Sequence, residues 1–213
     1  MRLRNLIEMV RIQVPNTPDG VIVFQLNSAL QQFCEETRIY RKESDLLAIY
    51  WVNEQGSIVL DATSGNSILY SPGEMGVFEI PPDCLQVRDI FFADADGRIV
   101  SLDGRYSWEL VTGNTQVALT LNNTVVDSVP TGVTSVMMKY IARPPVLDSA
   151  QVDMPLVLDD TFGMALYHKA VEFFQGGQNK YHSGEYHRLK QRAIRQANNE
   201  KTYGRYNIVP GTF

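Results

Sequence analysis

The spacing of apolar residues changes twice along this chain, and its first segment has the period of a helix. Apolar side chains recur every three or four positions through residues 3–14 and again through residues 22–37, which places them on one face of a helix. Pro15 ends the first run, and Thr17-Pro18-Asp19 has the form of an N-cap followed by proline at the first helical position. We predict two helices, the second of which frays near residues 41–44.

Apolar and polar positions alternate from Leu46 onwards, as expected for strands. The alternating segments are short, rich in aromatic and β-branched residues, and separated by turn formers such as Ser71-Pro72-Gly73. Strands at this spacing are typical of an antiparallel sandwich or barrel. The predicted strands are residues 46–52, 57–60, 67–70, 77–80, 85–92, 98–102, 106–110, 116–121, 124–126 and 133–142.

The helical period returns after Pro145. Residues 156–174 form a strongly apolar pattern, with Asp159 and Asp160 at the first turn, where the helix dipole favours carboxylates. Residues 175–178 break this pattern, and Ser183 is expected to cap a final helix. A non-helical tail is predicted from Tyr203.

This order of segments predicts an α+β fold. The first pair of helices is too small to fold alone, so we expect it to pack against the last pair in one antiparallel bundle. The helical domain then comprises residues 1–45 and 151–213, with an extended tail at about 203–213. Residues 46–150 form an inserted antiparallel β-module that resembles a sandwich or barrel.

The distribution of charge follows the same division. The formal net charge of −5 argues against a protein that coats nucleic acid with its whole surface. Residues 46–150 have a net charge of −7, whereas residues 151–213 have a net charge of +2. No apolar run is long enough to span a membrane, and the basic N-terminal residues precede no signal-peptide core. We therefore expect a soluble, cytoplasmically made protein with no membrane partner.

Candidate metal ligands do not form a recognised motif. His182 and His187 are five residues apart with Glu185 between them, which does not match the spacing of a zinc-binding helix. We interpret them as part of a solvated helix start. His168 lies within the apolar helix and is expected to be packed or at an interface. Cofactor and metal sites are therefore predicted to be absent.

Candidate catalytic residues are equally unconvincing. Asp94 and Asp96 occupy a turn, and the adjacent Asp159 and Asp160 are explained by the helix dipole. The chain has no Gly-x-Ser-x-Gly elbow and no glycine-rich phosphate loop. We therefore predict no catalytic residue and no enzyme activity.

The last helix and tail are the remaining candidates for function. The helix has basic residues that are distributed around its circumference, and these form either a solvated face or a surface for DNA or an acidic partner. They are Arg188, Lys190, Arg192 and Arg195. The tail is aromatic and apolar, which is typical of an interface with another subunit. Its candidate contact residues are Tyr203, Arg205, Tyr206, Ile208, Val209 and Phe213.

One stretch of sequence resembles a known family. Leu26-Asn27-Ser28-Ala29-Leu30-Gln31-Gln32-Phe33-Cys34-Glu35-Glu36-Thr37-Arg38 is similar to the first long helix of bacteriophage head–tail connector proteins, the adaptor or tail tubular A-like proteins of short-tailed phages. Glu79-Ile80-Pro81-Pro82-Asp83 resembles a proline-containing segment of the inserted module in that family. Asp153-Met154-Pro155-Leu156 resembles the start of the returning helices.

The resemblance implies a structural role in the virion, in its tail or neck. Family members form a ring, commonly of twelve subunits, beneath the portal protein. The ring extends the DNA channel, through which viral DNA passes without sequence-specific binding, and docks the next tail or nozzle protein. The tail of the chain is then expected to contact the portal. Synthesis is expected in the cytoplasm of the bacterial host.

A second hypothesis is a carbohydrate-binding or depolymerising β-sandwich protein. It would use Trp51, Tyr106, Trp108 and the turn carboxylates against sugar. Trp108 alternates with Tyr106 and Leu110 on one face of a predicted strand. The same alternation is typical of a strand in a sandwich core, and we expect Trp108 to belong to that core.

Overall fold

Helices and strands are segregated along the chain into two compact units. The computed structural model describes residues 1–52, 58–61, 75–93, 96–100, 106–111, 116–121, 135–177 and 179–206. One unit comprises Met1–Tyr40 together with Arg143–Phe213, and the other is Arg41–Ala142. The chain is therefore an α+β protein, as predicted. The unit boundaries fall at residues 40/41 and 142/143, whereas the sequence pattern indicated 45/46 and 150/151.

The first unit contains the four helices. They are α1 (Leu3–Gln13), α2 (Asp19–Thr37), α3 (Asp160–Phe174) and α4 (Lys180–Tyr206). Asp159 caps α3, because its side chain accepts a hydrogen bond from the Phe162 backbone N–H at 3.0 Å. Two predicted caps are wrong. Pro18 itself is the N-cap of α2, without a side-chain hydrogen bond, and α4 starts before Ser183, where the Asn179 side chain accepts from the Tyr181 N–H.

The four helices share one hydrophobic core. Phe33 of α2 lies at its centre, with its ring centroid 5.8 Å from that of Phe162 on α3 and 6.2 Å from that of Tyr186 on α4. All three rings are buried. The apolar stripes predicted for α1, α2 and α3 therefore face a common interior. Further buried members are Leu3, Leu6, Ile7, Val10, Ile22, Leu26, Leu30, Ala165, Leu166, Leu189 and Ala193.

Asn27, in the stretch that resembles the connector family, has a structural role. Its amide donates to the Leu147 carbonyl at 2.9 Å and accepts from the Leu147 N–H at 2.7 Å. Both backbone groups of Leu147 are thereby satisfied, which fixes the returning chain against α2. An aspartate or leucine at this position would satisfy at most one of them.

The strands that the structure describes in the second unit are antiparallel and form two sheets. One sheet has the order β1-β10-β6-β7, with β2 also pairing with β10, and the other has the order β4-β3-β5-β9-β8. The strands are β1 (Arg41–Glu43), β2 (Leu47–Ala48), β3 (Tyr50–Val52), β4 (Ile58–Asp61), β5 (Met75–Glu79), β6 (Cys84–Ala93), β7 (Ile99–Val100), β8 (Tyr106–Val111), β9 (Gln116–Leu121) and β10 (Ser135–Ala142). This unit contains six basic and thirteen acidic residues, so it retains the net charge of −7.

Several strand predictions need correction. Residues 41–43 do not continue α2 as a frayed end, because Arg38 ends the helix in the left-handed conformation (φ 54°) and Arg41 pairs with Ile141. The single strand predicted over 46–52 is divided into β2 and β3. The strands predicted at 67–70 and 124–126 lie outside the described residues.

Trp108 is also not a core residue. It lies on β8, at one end of its sheet, where it is opposite Leu119 of β9, and its side chain is 39% exposed. Alternation predicted correctly that Trp108 lies on a strand. It does not reveal whether a neighbouring layer covers that face of the strand.

We predict that Phe33→Ala lowers the free energy of unfolding by about 3–5 kcal/mol, because it leaves a cavity between three helices. Denaturant titration followed by circular dichroism measures this loss. Phe24→Ala on the same helix is the matched control and should change stability little, since Phe24 is 66% exposed. Equal losses in the two variants would contradict the placement of the core.

Candidate interaction surface on the C-terminal helix

Two buried histidines attach the start of α4 to α3. The Nδ1 atoms of His168 and His182 are 2.9 Å apart, and both side chains are buried. A hydrogen bond between these atoms requires that one Nδ1 carries a proton and that the other is free to accept it. The rings of Tyr167 and Tyr181 pack around the pair. The pair therefore depends on at least one neutral ring.

The surroundings of the pair disfavour positive charge. Burial lowers the pKa of His168, the neighbouring His182 lowers it further, and Glu185 partly opposes these effects. Burial also lowers the pKa of His182. The prediction that His182 belongs to a solvated helix start is wrong, because α4 begins at Lys180 and residue 182 faces α3. His187 is exposed, as that prediction had it.

The helical positions of His168 and His182 are a sequence signal for their contact. His168 occupies a position in the apolar stripe of α3, and His182 lies four residues before Tyr186, on the same face of α4. Two histidines at core-facing positions of adjacent helices are candidates for a mutual contact. The polar residues around His182 favoured the prediction of a solvated position instead.

A second contact attaches α4 to α2. The Tyr186 hydroxyl donates to a carboxylate oxygen of Glu36 at 2.7 Å, and the Lys190 Nζ lies 3.3 Å from the same oxygen. Burial alone would raise the pKa of Glu36, but hydrogen bonds from Gln32 and Tyr186 and the charge of Lys190 outweigh it and lower the pKa. Glu36 is therefore held as a carboxylate between the helices.

Lys190 is thereby separated from the other predicted basic residues. Its side chain is only 18% exposed, and its Nζ lies 5.7 Å from the centroid of the Tyr186 ring. The positive charge is directed at Glu36 and an aromatic face. Lys190 stabilises the contact between α2 and α4, which its position in the sequence did not reveal.

The other three basic residues form a single exposed stripe, which we call the arginine stripe: Arg188, Arg192 and Arg195. Spacings of four and three place them on one face of α4, so the basic residues are less dispersed than predicted. Arg188 forms an ion pair with Glu185 at 2.7 Å, and this contact lowers the pKa of Glu185. Arg192 and Arg195 form no ion pair with any side chain that the structure describes.

The predicted tail begins later than expected. Tyr203, Arg205 and Tyr206 lie within α4, which continues to Tyr206. No proline occurs between the start of α4 and Pro210, and neither Gly184 nor Gly204 stops the helix. Ile208, Val209 and Phe213 lie outside the described residues.

Among the residues that the structure describes, neither a metal-binding cluster nor a reactive thiol at Cys34 is present. No group of three or more His, Cys, Asp or Glu side chains among them is arranged to hold a metal ion. Cys34 is buried, and its burial together with the charge of Glu35 raises the pKa of the thiol to about 12. A thiol in that state is a poor nucleophile. In the same part of the chain, no helix is both long and apolar enough to cross a membrane.

Comparison with known proteins assigns the chain to a family. The family model described as SU10 adaptor protein matches residues 1–210, which includes both units and the helix stretch at 26–38. The chain belongs to the SU10 adaptor protein family. Comparison with curated proteins found no match. The family assignment confirms the resemblance to phage head–tail adaptors and makes the chain a structural component of a virion that interacts with other head and tail components. Membership in a structural adaptor family implies a non-enzymatic protein.

We predict that the histidine pair makes this adaptor less stable in acid. Both folded-state pKa values lie below the ordinary value of 6.5, so the unfolded chain takes up protons first as the pH falls. The contribution of the pair is complete above about pH 6.5 and is lost as the pH falls below it. Urea titrations between about pH 7.5 and about pH 5.5 measure the decline.

His182→Asn should flatten this pH dependence, whereas His187→Asn, at an exposed position of the same helix, should leave it unchanged. An identical pH dependence in the wild-type chain and in His182→Asn would show that the pair does not govern it.

Proposed function

We propose that this chain forms a ring beneath the portal protein of a phage capsid, extends the DNA channel and docks the next tail or nozzle protein. The observation that supports this most strongly is the match of the adaptor family model to residues 1–210. The proposed ring has twelve subunits. We also propose that the four helices form an antiparallel bundle and that the two sheets pack as a sandwich.

The charge distribution suits a channel wall. The strand-containing unit has a net charge of −7, and an acidic surface repels the phosphate backbone of DNA. Viral DNA would then pass along it without sequence-specific binding and without being retained. The protein would be made in the cytoplasm of the bacterial host and function in the neck of the virion, with no membrane partner.

The proposed portal contact is the end of the chain. Residues from Tyr203 onwards combine aromatic and apolar side chains with one arginine, and these residue types are enriched at the centres of interfaces. Pro210 and Gly211 disfavour helix at the last positions. The proposed contact residues are Tyr203, Arg205, Tyr206, Ile208, Val209 and Phe213.

A carbohydrate-binding or depolymerising module is the alternative, and one observation favours it. Trp108 is exposed on β8, and an exposed indole can stack on a sugar ring. The side chains of Trp51 and Tyr106 lie outside those that the structure describes. The family assignment accounts for the whole chain, whereas the carbohydrate hypothesis accounts for one side chain.

We predict that truncation after Tyr206 abolishes attachment to the portal and leaves the helical core intact, because the core residues lie before that point. Co-sedimentation with the purified portal of the same phage measures attachment, and circular dichroism measures folding. Replacement of residues 207–213 by a Gly/Ser segment of equal length is the control for chain length, and it should also fail to attach.

Undiminished attachment of the truncated chain would place the portal contact elsewhere. A full-length chain that never binds portal but is retained by a polysaccharide through Trp108 would favour the alternative function.

A further inference from the structure

We propose that the exposed face of α2 binds the exposed face of α4 in a second copy of this chain. This inference rests on the proposed ring and identifies the two surfaces that would join its subunits. It concerns residues 21–35 of one copy and residues 181–195 of the next.

The outer face of α2 is apolar near its start and acidic near its end. Phe24 is 66% exposed and Val21 is 44% exposed, although the opposite side of this helix forms the core. Glu35, further along the same face, is exposed and forms no ion pair with any side chain that the structure describes. Exposed apolar side chains on a face that also carries polar residues are typical of an interaction site.

The outer face of α4 has the complementary order. Tyr181 is 66% exposed at the start of the helix. The arginine stripe follows, and its Arg192 and Arg195 are exposed and unpaired among the described side chains. From its N-terminal to its C-terminal end, the outer face of α4 is therefore aromatic and then basic. In the same direction, the outer face of α2 is aromatic and then acidic.

The two faces also have the same spacing. The faces follow residues 24, 28, 31 and 35 on α2 and residues 181, 185, 188 and 192 on α4, of which residues 28, 31 and 185 are half-buried and the others are exposed. Both sets follow intervals of four, three and four residues, which keep side chains on one helix face over about 16 Å. Parallel alignment places Phe24 opposite Tyr181 and Glu35 opposite Arg192. At the middle positions, the Ser28 hydroxyl can donate to the Glu185 carboxylate. The Gln31 amide oxygen can accept from the Arg188 guanidinium.

A shallow groove beside Phe24 offers a place for the incoming tyrosine. Phe24 and the exposed Val146 line it together with Asn27 and Leu147, whose mutual hydrogen bonds fix its shape. Tyr181 has an apolar ring and a polar hydroxyl, a combination favoured at interfaces that are partly wet. Asp148 at the same groove provides an acceptor for that hydroxyl.

The two faces cannot meet within one chain, so their complementarity points to a second copy as the partner. Phe33 of α2 and Tyr186 of α4 are in contact in the shared core, and the two outer faces point away from it. A contact between different surfaces of identical subunits is heterologous, and repetition of such a contact generates a ring when the rotation closes.

Cross-linking between cysteine variants tests this register. Full-length Glu35→Cys and Arg192→Cys chains, both with Cys84→Ser, are mixed at high concentration and treated with a short bis-maleimide. Cys34 is buried and does not react. We expect the mixed dimer to be the main product. The mismatched control replaces Glu35→Cys by Glu8→Cys, at an exposed position of α1, and should give little mixed dimer. Equal yields from the two mixtures would overturn the proposal.

Charge reversal provides the second test. Glu35→Arg and Arg192→Glu should each weaken assembly on the portal by about tenfold, because each places like charges opposite one another. The double variant should restore the contact, since it re-forms opposite charges. An equimolar mixture of the two single variants should also recover, because alternating subunits place opposite charges at every contact between positions 35 and 192. Glu8→Arg should have no effect. Reduced assembly in both single variants without recovery in the double variant would overturn the pairing.

These outcomes are separable from those of the proposed function. Failure of the wild-type chain to bind portal would refute the adaptor ring. Normal portal assembly by both charge-reversed variants would refute the α2–α4 contact alone. The cross-linking is repeated with chains truncated after Tyr206. If the mixed dimer then disappears, the C-terminal segment and not the α2–α4 contact joins the two chains, and that result would also overturn the proposal.

Discussion

The contact between α4 and α2 is centred on one buried side chain, Tyr186. Its ring packs edge-on against Phe33 of α2, and its hydroxyl donates to Glu36, also on α2. The Lys190 Nζ lies near the same carboxylate. Tyr186 therefore satisfies both an apolar and a polar requirement at the boundary of the core. Because α4 is held there on one side, its other side is fixed as an outward surface. The arginine stripe is exposed for that reason.

The two sides of α4 use the same residue types for different purposes. Lys190 forms an ion pair with Glu36 within the chain, whereas Arg192 and Arg195 are exposed and can contact another molecule. A count of basic residues does not make this distinction, although it decides which positive charges a partner can meet. The acidic strand-containing unit accounts for the negative charge of the chain as a whole. An adaptor can thus be acidic overall and still present a basic helix.

Much of the fold was predictable from local sequence. The 3.6-residue period located the helices, and alternation located β9 at the observed residues. The predictions were wrong where contacts with a distant segment determine the structure or exposure of a residue. Residues 41–43 join the sheet because they pair with β10, about a hundred residues away along the chain, and Trp108 is exposed because of what lies beside its strand. The candidate site was predicted only in part. Tyr186 and Glu36 are separated by 150 residues, and the local sequence around His168 and His182 does not show that the two side chains are in contact.

Electron cryomicroscopy of the full-length chain assembled on the portal of its own phage tests the adaptor assignment most directly. A closed ring beneath the portal, in which α2 of each subunit faces α4 of the next and the residues after Tyr206 reach the portal, is the predicted result. Portal particles without a bound ring would contradict the adaptor ring, whereas a ring in which the arginine stripe and Phe24 both face solvent would contradict the α2–α4 contact alone.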